Sequence, residues 1–245
     1  MEPLPTELPA PASLAGRVIA IAGAGGNLGP TVVRRLAPTG ARLALGGRDK
    51  APLDALAAEL GVHADTASVD LLDADASRAW ADGVAERFGH VDALVHLVGG
   101  WWPSAPIEEA SLEDWGRFHD LLIRTYQHAT QAFTPHLLAS GRGRAVLISP
   151  GQAQAPTHTN ASYAAAKAAA ETWTLALADR FRGTGATANV VVVGAIVTPT
   201  MREESPDKDF STFTPAEEIA EAIAYLCSDA AASMNGQRLT LRGAA

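Results

Sequence analysis

The sequence is poor in cysteine, in basic clusters and in metal-ligand spacings, and each absence removes a class of function. The one cysteine, Cys227, excludes an internal disulfide and a metal site built from several cysteines. The seven histidines show no HxxxH or HxH spacing, so we expect no catalytic metal. The net charge is −8 and no stripe of Lys and Arg stands out, so we expect no nucleic-acid partner.

Apolar segments long enough to cross a bilayer are also missing, so we expect no membrane partner and a cytoplasmic protein. Residues 1–13 contain four prolines and two glutamates but no lysine or arginine, unlike the basic start of a signal peptide. We interpret residues 1–13 as a flexible, proline-rich arm. Residues 14–245 are enough for a single domain with a large core.

Strand-like and helix-like patterns alternate along the rest of the chain. Ala93–Val98 and Thr187–Val193 are strand-like, whereas Ala74–Phe88 and Tyr163–Phe181 have the spacing of helices. This alternation predicts an α/β fold with a single doubly wound parallel sheet, the Rossmann fold. The continuous apolar run Val190–Val193 is typical of a strand that is buried on both faces.

Tyr163 and Lys167 form the most informative pair of residues. They lie four residues apart in a helix-like segment, and this spacing puts both on one face. A nearby ammonium favours the phenolate, so we expect Lys167 to lower the pKa of Tyr163 toward neutral pH. Such a phenol suits the general acid that protonates a carbonyl oxygen while hydride reaches carbon. The alternative is an amphipathic helix that carries both residues by chance.

A glycine-rich turn follows the first predicted strand and opens the first predicted helix. Glycines allow backbone to approach a pyrophosphate closely, and the helix amino terminus supplies N–H donors. This context predicts a dinucleotide site whose contacts are Gly23, Gly25, Asn27, Leu28 and Gly29.

From about Gly16 to Gly243 the chain resembles the short-chain dehydrogenase/reductase family. Gly23 and Gly29 match the outer glycines of its TGxxxGxG motif, and Asn27, which tolerates positive φ, replaces the middle glycine. The resemblance implies an NAD(P)-dependent oxidoreductase, a small-molecule substrate, and a homotetramer or homodimer. It also implies cofactor contacts at Asp70, Leu71, Val98, Gly99, Tyr163, Lys167, Gly194, Ile196 and Thr198.

The end of the second strand favours NADP(H) over NAD(H). Gly47 stands where NAD-specific relatives usually carry a carboxylate, and the guanidinium of Arg48 suits a 2′-phosphate. Asp49 is the counter-argument, because it lies about 20 residues beyond Gly29, the spacing of a ribose-binding acid. A third interpretation is that Arg48 and Asp49 only begin a solvated loop.

Other family positions are altered. Pro150 takes the place of the usual serine, and Ser149 lies one residue early, so it serves in catalysis only if the strand bulges at Pro150–Gly151. Otherwise Ser149 is a structural residue. Leu122 replaces the usual asparagine, and the NNAG motif reads His96-Leu97-Val98-Gly99.

Three interpretations of these changes remain open. The first is an enzyme that uses Tyr163 and Lys167 without a serine, and Val98–Trp101 is weakly similar to dihydropteridine reductases, which lack it too. The second is a carbonyl reductase with Ser149 shifted into place. The third is a catalytically impaired cofactor-binding or structural subunit. We expect substrate contacts at the rim of the sheet, from Trp101, Trp102, Gln152 and His158.

Overall fold

The computed structural model describes residues 13–61 and 64–243. Residues 1–12 of the predicted arm lie outside these ranges, so the arm stays a prediction. The strands are β1 (Val18–Ala22), β2 (Arg42–Gly47), β3 (Ala64–Ser68), β4 (Ala93–His96), β5 (Arg144–Pro150), β6 (Thr187–Val193), β7 (Ile196–Val197), β8 (Thr214–Pro215) and β9 (Arg238–Thr240). The helices are α1 (Gly29–Leu36), α2 (Ala51–Leu60), α3 (Ala74–Phe88), α4 (Leu112–Phe118), α5 (Thr125–Ala139), α6 (Ala161–Arg180), α7 (Pro199–Glu204) and α8 (Ala216–Leu226).

A seven-stranded parallel sheet forms the centre of the described chain, in the order β3-β2-β1-β4-β5-β6-β9. Helices α1, α2 and α8 pack on one face, and α3, α5 and α6 pack on the other. The predicted doubly wound α/β fold is therefore confirmed. The strand order reverses between β1 and β4, and open α/β sheets bind ligands outside the carboxyl ends of strands at such a point.

Successive strand residues point to opposite faces of the sheet and are buried on both, as the apolar runs predicted. Ile19 and Ile21 of β1 face α1 and α8, whereas Val18 and Ala20 face α3 and α5. The run Val190–Val193 in β6 is likewise buried on both faces. Burying each Val or Ile side chain of these strands contributes about 1.5–3 kcal/mol, so a slip in strand register is strongly disfavoured.

The segment that joins β4 to β5 contains two helices with a distortion between them. A π-helical turn, His119–Arg124, links α4 to α5, and Thr125 Oγ1 donates to the Leu121 carbonyl at 2.6 Å. Leu122 lies within this turn and is almost fully buried. Such turns often occur at functional sites, and this one places Leu122 below the carboxyl end of the sheet.

Among the residues that the structure describes, no helix is both long and apolar enough to cross a membrane.

Candidate functional site

The glycine-rich turn and the segment after β4 meet at the carboxyl end of the sheet. Leu97 N donates to the Ala22 carbonyl at 2.8 Å, which extends the pairing of β1 and β4 beyond the strands. A Cβ on Gly23 would lie 2.9 Å from Val98 N, so only glycine fits there. The structure thus brings together two predicted parts of the cofactor site, the turn and Val98–Gly99.

The turn itself has the shape of an anion cradle. A Cβ on Gly29 would lie 2.0 Å from the Ala24 carbonyl oxygen, so the start of α1 closes tightly over the turn. Leu28 is buried beneath, whereas Gly25 and Asn27 are exposed at the amino end of α1. Exposed backbone at a helix amino terminus fits the phosphates of a dinucleotide.

Asn27 does not carry the left-handed conformation that we expected of it. Gly23 has a φ of +82°, and no described residue other than glycine has a positive φ. The turn therefore needs its flexible residue at Gly23, and Asn27 replaces a glycine without strain.

The carboxyl ends of β2 and β3 lie side by side next to this cradle. Arg48 is exposed, and its carbonyl accepts a hydrogen bond from Ser68 Oγ at 2.9 Å. Asp49 Oδ1 accepts from Ala51 N, the first residue of α2, at 3.0 Å. Asp70 Oδ1 accepts from Leu72 N at 2.9 Å, and Leu71 is buried behind it. Arg48 is therefore exposed to solvent, whereas one oxygen of the Asp49 carboxylate already has a backbone partner.

Lys167 lies at the centre of the other half of the site. Its ammonium donates to the Ile148 carbonyl at 3.0 Å. A Cβ on Gly99 would lie 3.7 Å from Lys167 Nζ and 3.8 Å from Leu122 Cδ2. The structure thus groups Lys167 with Gly99, a predicted cofactor contact, and with Leu122, which replaces the family's asparagine.

The expected effect of Lys167 on Tyr163 is wrong. Burial raises the pKa of Tyr163 to about 12. Burial also lowers the pKa of Lys167 to about 8, because an ammonium loses its hydration there. Burial is thus the cause that sets the pKa of Tyr163, and Tyr163 is a neutral phenol at pH 7.

Ser149 does not occupy the catalytic position. The bulge that this role required is absent, because β5 pairs with β6 in regular register through Ser149 and Pro150. The buried Ser149 hydroxyl instead donates to Glu171 Oε1 at 2.6 Å. Ser149 thus contacts α6 at Glu171, eight residues beyond Tyr163, and it is the structural residue that we gave as the alternative to a shifted catalytic serine.

Glu171 is the residue of this region that we missed. Its Oε2 accepts from Gln154 Nε2 at 2.9 Å and from Arg238 Nε at 2.6 Å. The signal was present in the sequence, because Glu171 lies four residues beyond Lys167 and therefore on the same face of α6.

His96, which replaces the first asparagine of the family's NNAG motif, is buried and uncharged. Burial lowers its pKa to about 3, and the charge of Lys167 acts in the same direction. Its Nε2 lies 3.5 Å from Thr125 Oγ1, and its Nδ1 has no hydrogen-bond partner among the described residues. His96 therefore adds no positive charge to the site at neutral pH.

Replacing His96 by Asn is expected to flatten the acid side of the stability curve. In the unfolded chain His96 takes up a proton below its ordinary pKa of 6.5, whereas the folded chain resists protonation down to about pH 3. Wild-type stability therefore falls as pH decreases through this window, by on the order of 3 kcal/mol from this group between pH 7 and 4. Urea unfolding at both pH values measures the difference between wild type and His96→Asn.

The same substitution at His158, which is exposed, is the control and should leave the pH slope unchanged. Equal slopes for wild type and His96→Asn would contradict the buried, neutral state of His96.

A stack of aromatic rings approaches Tyr163 from the segment after β4. Trp102 lies parallel to Phe118 with a ring separation of 3.8 Å, and Phe118 lies 5.5 Å from the Tyr163 ring. The Arg117 guanidinium covers Trp102 at 4.6 Å. Trp101 is 60% exposed and lies outside this stack. The two adjacent tryptophans therefore have different surroundings, and only Trp102 is packed toward the tyrosine.

The remaining predicted residues lie on the same rim. Gln152 is exposed in a short turn after β5. His158 lines a groove of about 370 Å³ along α6, together with Ile107 and Ala164. After β6, Gly194 N donates to Thr214 Oγ1 at 2.9 Å, while Ile196 begins β7 and Thr198 Oγ1 accepts from Met201 N to cap α7. Within the described ranges, no group of His, Cys, Asp and Glu has the arrangement of a metal site.

The sequence and the fold of this chain are similar to those of known dehydrogenases. A family model described as short chain dehydrogenase matches residues 17–209. The (2S)-[(R)-hydroxy(phenyl)methyl]succinyl-CoA dehydrogenase subunit BbsC of Thauera aromatica is 33% identical over 93% of this chain and 94% of its own. The cis-4-hydroxycyclohexanecarboxylate dehydrogenase of Sinomonas cyclohexanicum is 30% identical over 94% and 97%. A gluconate 5-dehydrogenase from Burkholderia cenocepacia, solved with NADP and tartrate, superposes with a TM-score of 0.84 at 27% identity, over 94% of this chain and 95% of its own.

Proposed function

Because the chain belongs to the short-chain dehydrogenase family and is an NAD(P)-dependent oxidoreductase, we propose that it uses NADP(H) and that Tyr163 is its general acid and base. The substrate is a small molecule with a carbonyl/alcohol pair or a C=N bond. One observation supports the proposal most directly. The glycine turn, Val98–Gly99 and Lys167 lie together at one edge of the sheet.

The residues at the cradle fit a dinucleotide. Gly23 and Gly29 give the close packing of the turn, and the exposed backbone at Gly25 to Asn27 receives the pyrophosphate. Arg48 binds the 2′-phosphate, since its guanidinium is exposed, whereas Asp49 Oδ1 is already bonded to the Ala51 amide. The remaining contacts are the predicted ones at Asp70, Leu71, Val98, Gly99, Gly194, Ile196 and Thr198. When bound, the nicotinamide supplies or accepts the hydride.

Proton transfer falls to Tyr163 and Lys167. At neutral pH Tyr163 holds its proton, because burial raises its pKa to about 12, and the phenol is thus ready to donate to a substrate oxygen or nitrogen. As the proton leaves, negative charge develops on the phenol, and the Lys167 ammonium on the same helix face stabilises it. Trp102, stacked beside Phe118 next to Tyr163 and covered by the Arg117 guanidinium, is the proposed substrate contact on this side of the site.

No serine hydroxyl assists this transfer, since Ser149 is bonded to Glu171 and Pro150 has no donor. Losing such a donor typically costs 10²- to 10³-fold in rate. The site therefore suits a substrate whose C=O or C=N bond is already reactive, in line with the first interpretation.

The apolar groove along α6 supports a homotetramer or homodimer. Its lining includes Ala164, Ala165 and Ala168, whose small side chains allow a second helix to approach closely, and the exposed Ile107.

The test is turnover by the purified protein. NADPH oxidation, followed by absorbance, is measured with a panel of aldehydes, ketones and cyclic imines, and cofactor binding is measured by tryptophan quenching. Binding together with turnover supports the proposal. Tight binding with no turnover of any substrate would favour the cofactor-binding subunit instead, and binding of neither NADPH nor NADH would contradict both.

A further inference from the structure

Glu171 is a buried carboxylate that has no role in the proton transfer proposed above. It is only 1% exposed, and Lys167 on the preceding turn of α6 is 7% exposed. Tyr163, Lys167 and Glu171 follow one another at four-residue intervals, so they share one face of α6, and from this face Lys167 and Glu171 contact β5. A buried carboxylate is stable only when hydrogen-bond donors or positive charges compensate its charge.

Three donors satisfy Glu171 as an ionised carboxylate, which can only accept hydrogen bonds. Ser149 Oγ donates to Oε1, while Gln154 Nε2 and Arg238 Nε donate to Oε2. Arg238 comes from β9 and is partly exposed, so the ion pair lies at the edge of the core. This set of contacts holds the carboxylate in one place, beside the helix turn that carries Lys167.

The other groups around Lys167 do not favour its charge. His96 of β4 is neutral, Leu122 of the π-helical turn is apolar, and Tyr163 is a neutral phenol. In β5, the Ile148 carbonyl accepts a hydrogen bond from Lys167. Burial lowers the pKa of Lys167 to about 8, and the charge of Glu171 opposes this decrease.

We propose that Glu171 is a positioning residue that keeps Lys167 in its charged form at neutral pH. The proposal rests on the proposed function, since only that function requires a charged lysine beside Tyr163. It also accounts for Ser149, because its hydroxyl donates to Glu171 and is therefore not available to a substrate. Reduction by this site should therefore slow as pH rises above the titration midpoint of Lys167, because the neutral amine no longer stabilises the developing phenolate.

The charge of Lys167 can be measured without any turnover. The chain has only three lysines, Lys50, Lys167 and Lys208, and the first and last are exposed. Protein labelled with ¹³C at the lysine ε carbon gives one titrating NMR signal for each, assigned with Lys50→Arg and Lys208→Arg. We expect a midpoint near 8 for Lys167, and Glu171→Gln should lower it by about one unit, because the nearby negative charge is lost.

Arg238→Gln is the matched control. Both variants break the same ion pair, but this one leaves the negative charge of Glu171 in place and removes a positive charge, so the Lys167 midpoint should rise. The proposal is overturned if Glu171→Gln leaves the midpoint unchanged, or if both variants lower it, as loosened packing would do. If Glu171→Gln does not fold, Arg238→Gln decides alone, and any result other than a rise is contradictory.

The pH dependence of turnover supplies an independent second measurement. In Glu171→Gln the alkaline loss of kcat should move to lower pH by the same shift as the NMR midpoint. A protein with no turnover would contradict the proposed function, whereas the NMR midpoints would still decide the role of Glu171.

Discussion

Tyr163→Phe is expected to lower kcat by about 10³-fold and to change the NADPH dissociation constant by less than about 2-fold. The substitution removes only the hydroxyl, which is the proton donor of the proposed reaction. The ring remains, so its contact with Phe118 at 5.5 Å and its share of the buried cluster with Leu122 and Ala166 are preserved. A loss of this size with intact binding indicates an interaction that is made in the transition state.

Single-turnover measurements of NADPH oxidation give the rate of the chemical step directly, and tryptophan quenching gives the dissociation constant. Ser149→Ala is the matched control, since it also removes one buried hydroxyl, but one that is bonded to Glu171. It should cost less than about 10-fold, well below the effect of losing a donor to the transition state. The assignment of Tyr163 fails if its variant keeps more than a tenth of wild-type kcat, or if Ser149→Ala is equally damaged.

Most of the fold could be predicted because its signals are local. The apolar run in β6 and the glycines around α1 constrain backbone and burial within a few residues, and a parallel sheet buried on both faces follows from them. The two-stranded pair β7–β8 was not predicted, because each strand has only two residues and no periodicity can be seen over that length.

The chemistry of the site depends on contacts that no local pattern contains. The hydroxyl of Ser149 meets Glu171 across 22 positions of sequence, and this contact decides which way the serine points. The pKa of Tyr163 depends on how deeply the phenol is buried, and a four-residue spacing to a lysine says nothing about depth. The sequence therefore predicted that Tyr163 and Lys167 share one face of a helix, but it did not predict the pKa of Tyr163.

The altered family positions fit together as one unit in the structure. Leu122 lies against the space beside Gly99 and Lys167, His96 is neutral beside the same lysine, and Ser149 is bonded to Glu171. Around Lys167, apolar or neutral side chains therefore stand where the family has polar ones. The charge of the lysine then depends more strongly on the remaining anion, which gives the Glu171 contact its importance.

Arg48→Ala is expected to weaken NADPH binding by about 10- to 100-fold and to leave NADH binding within about 2-fold of wild type. The guanidinium donates charge-assisted hydrogen bonds to the 2′-phosphate, which contribute about 1.5–3 kcal/mol, and NADH has no phosphate at that position. Fluorescence titration of wild type and variant with both cofactors measures the change in preference. Arg182→Ala removes another exposed arginine far along the chain and should alter neither affinity.

Gly47→Asp tests the same site from the opposite direction. A Cβ on Gly47 would meet only the Leu53 methyl carbons at 3.6 and 3.9 Å, so the backbone accepts a side chain there without strain. The new carboxylate repels a 2′-phosphate and accepts a hydrogen bond from a 2′-hydroxyl, so NADPH should bind more weakly and NADH more tightly than to wild type. If instead Asp49→Ala lowers NADH affinity while Arg48→Ala leaves NADPH affinity unchanged, then the carboxylate that bonds the Ala51 amide is the ribose ligand and the preference for NADP(H) is wrong.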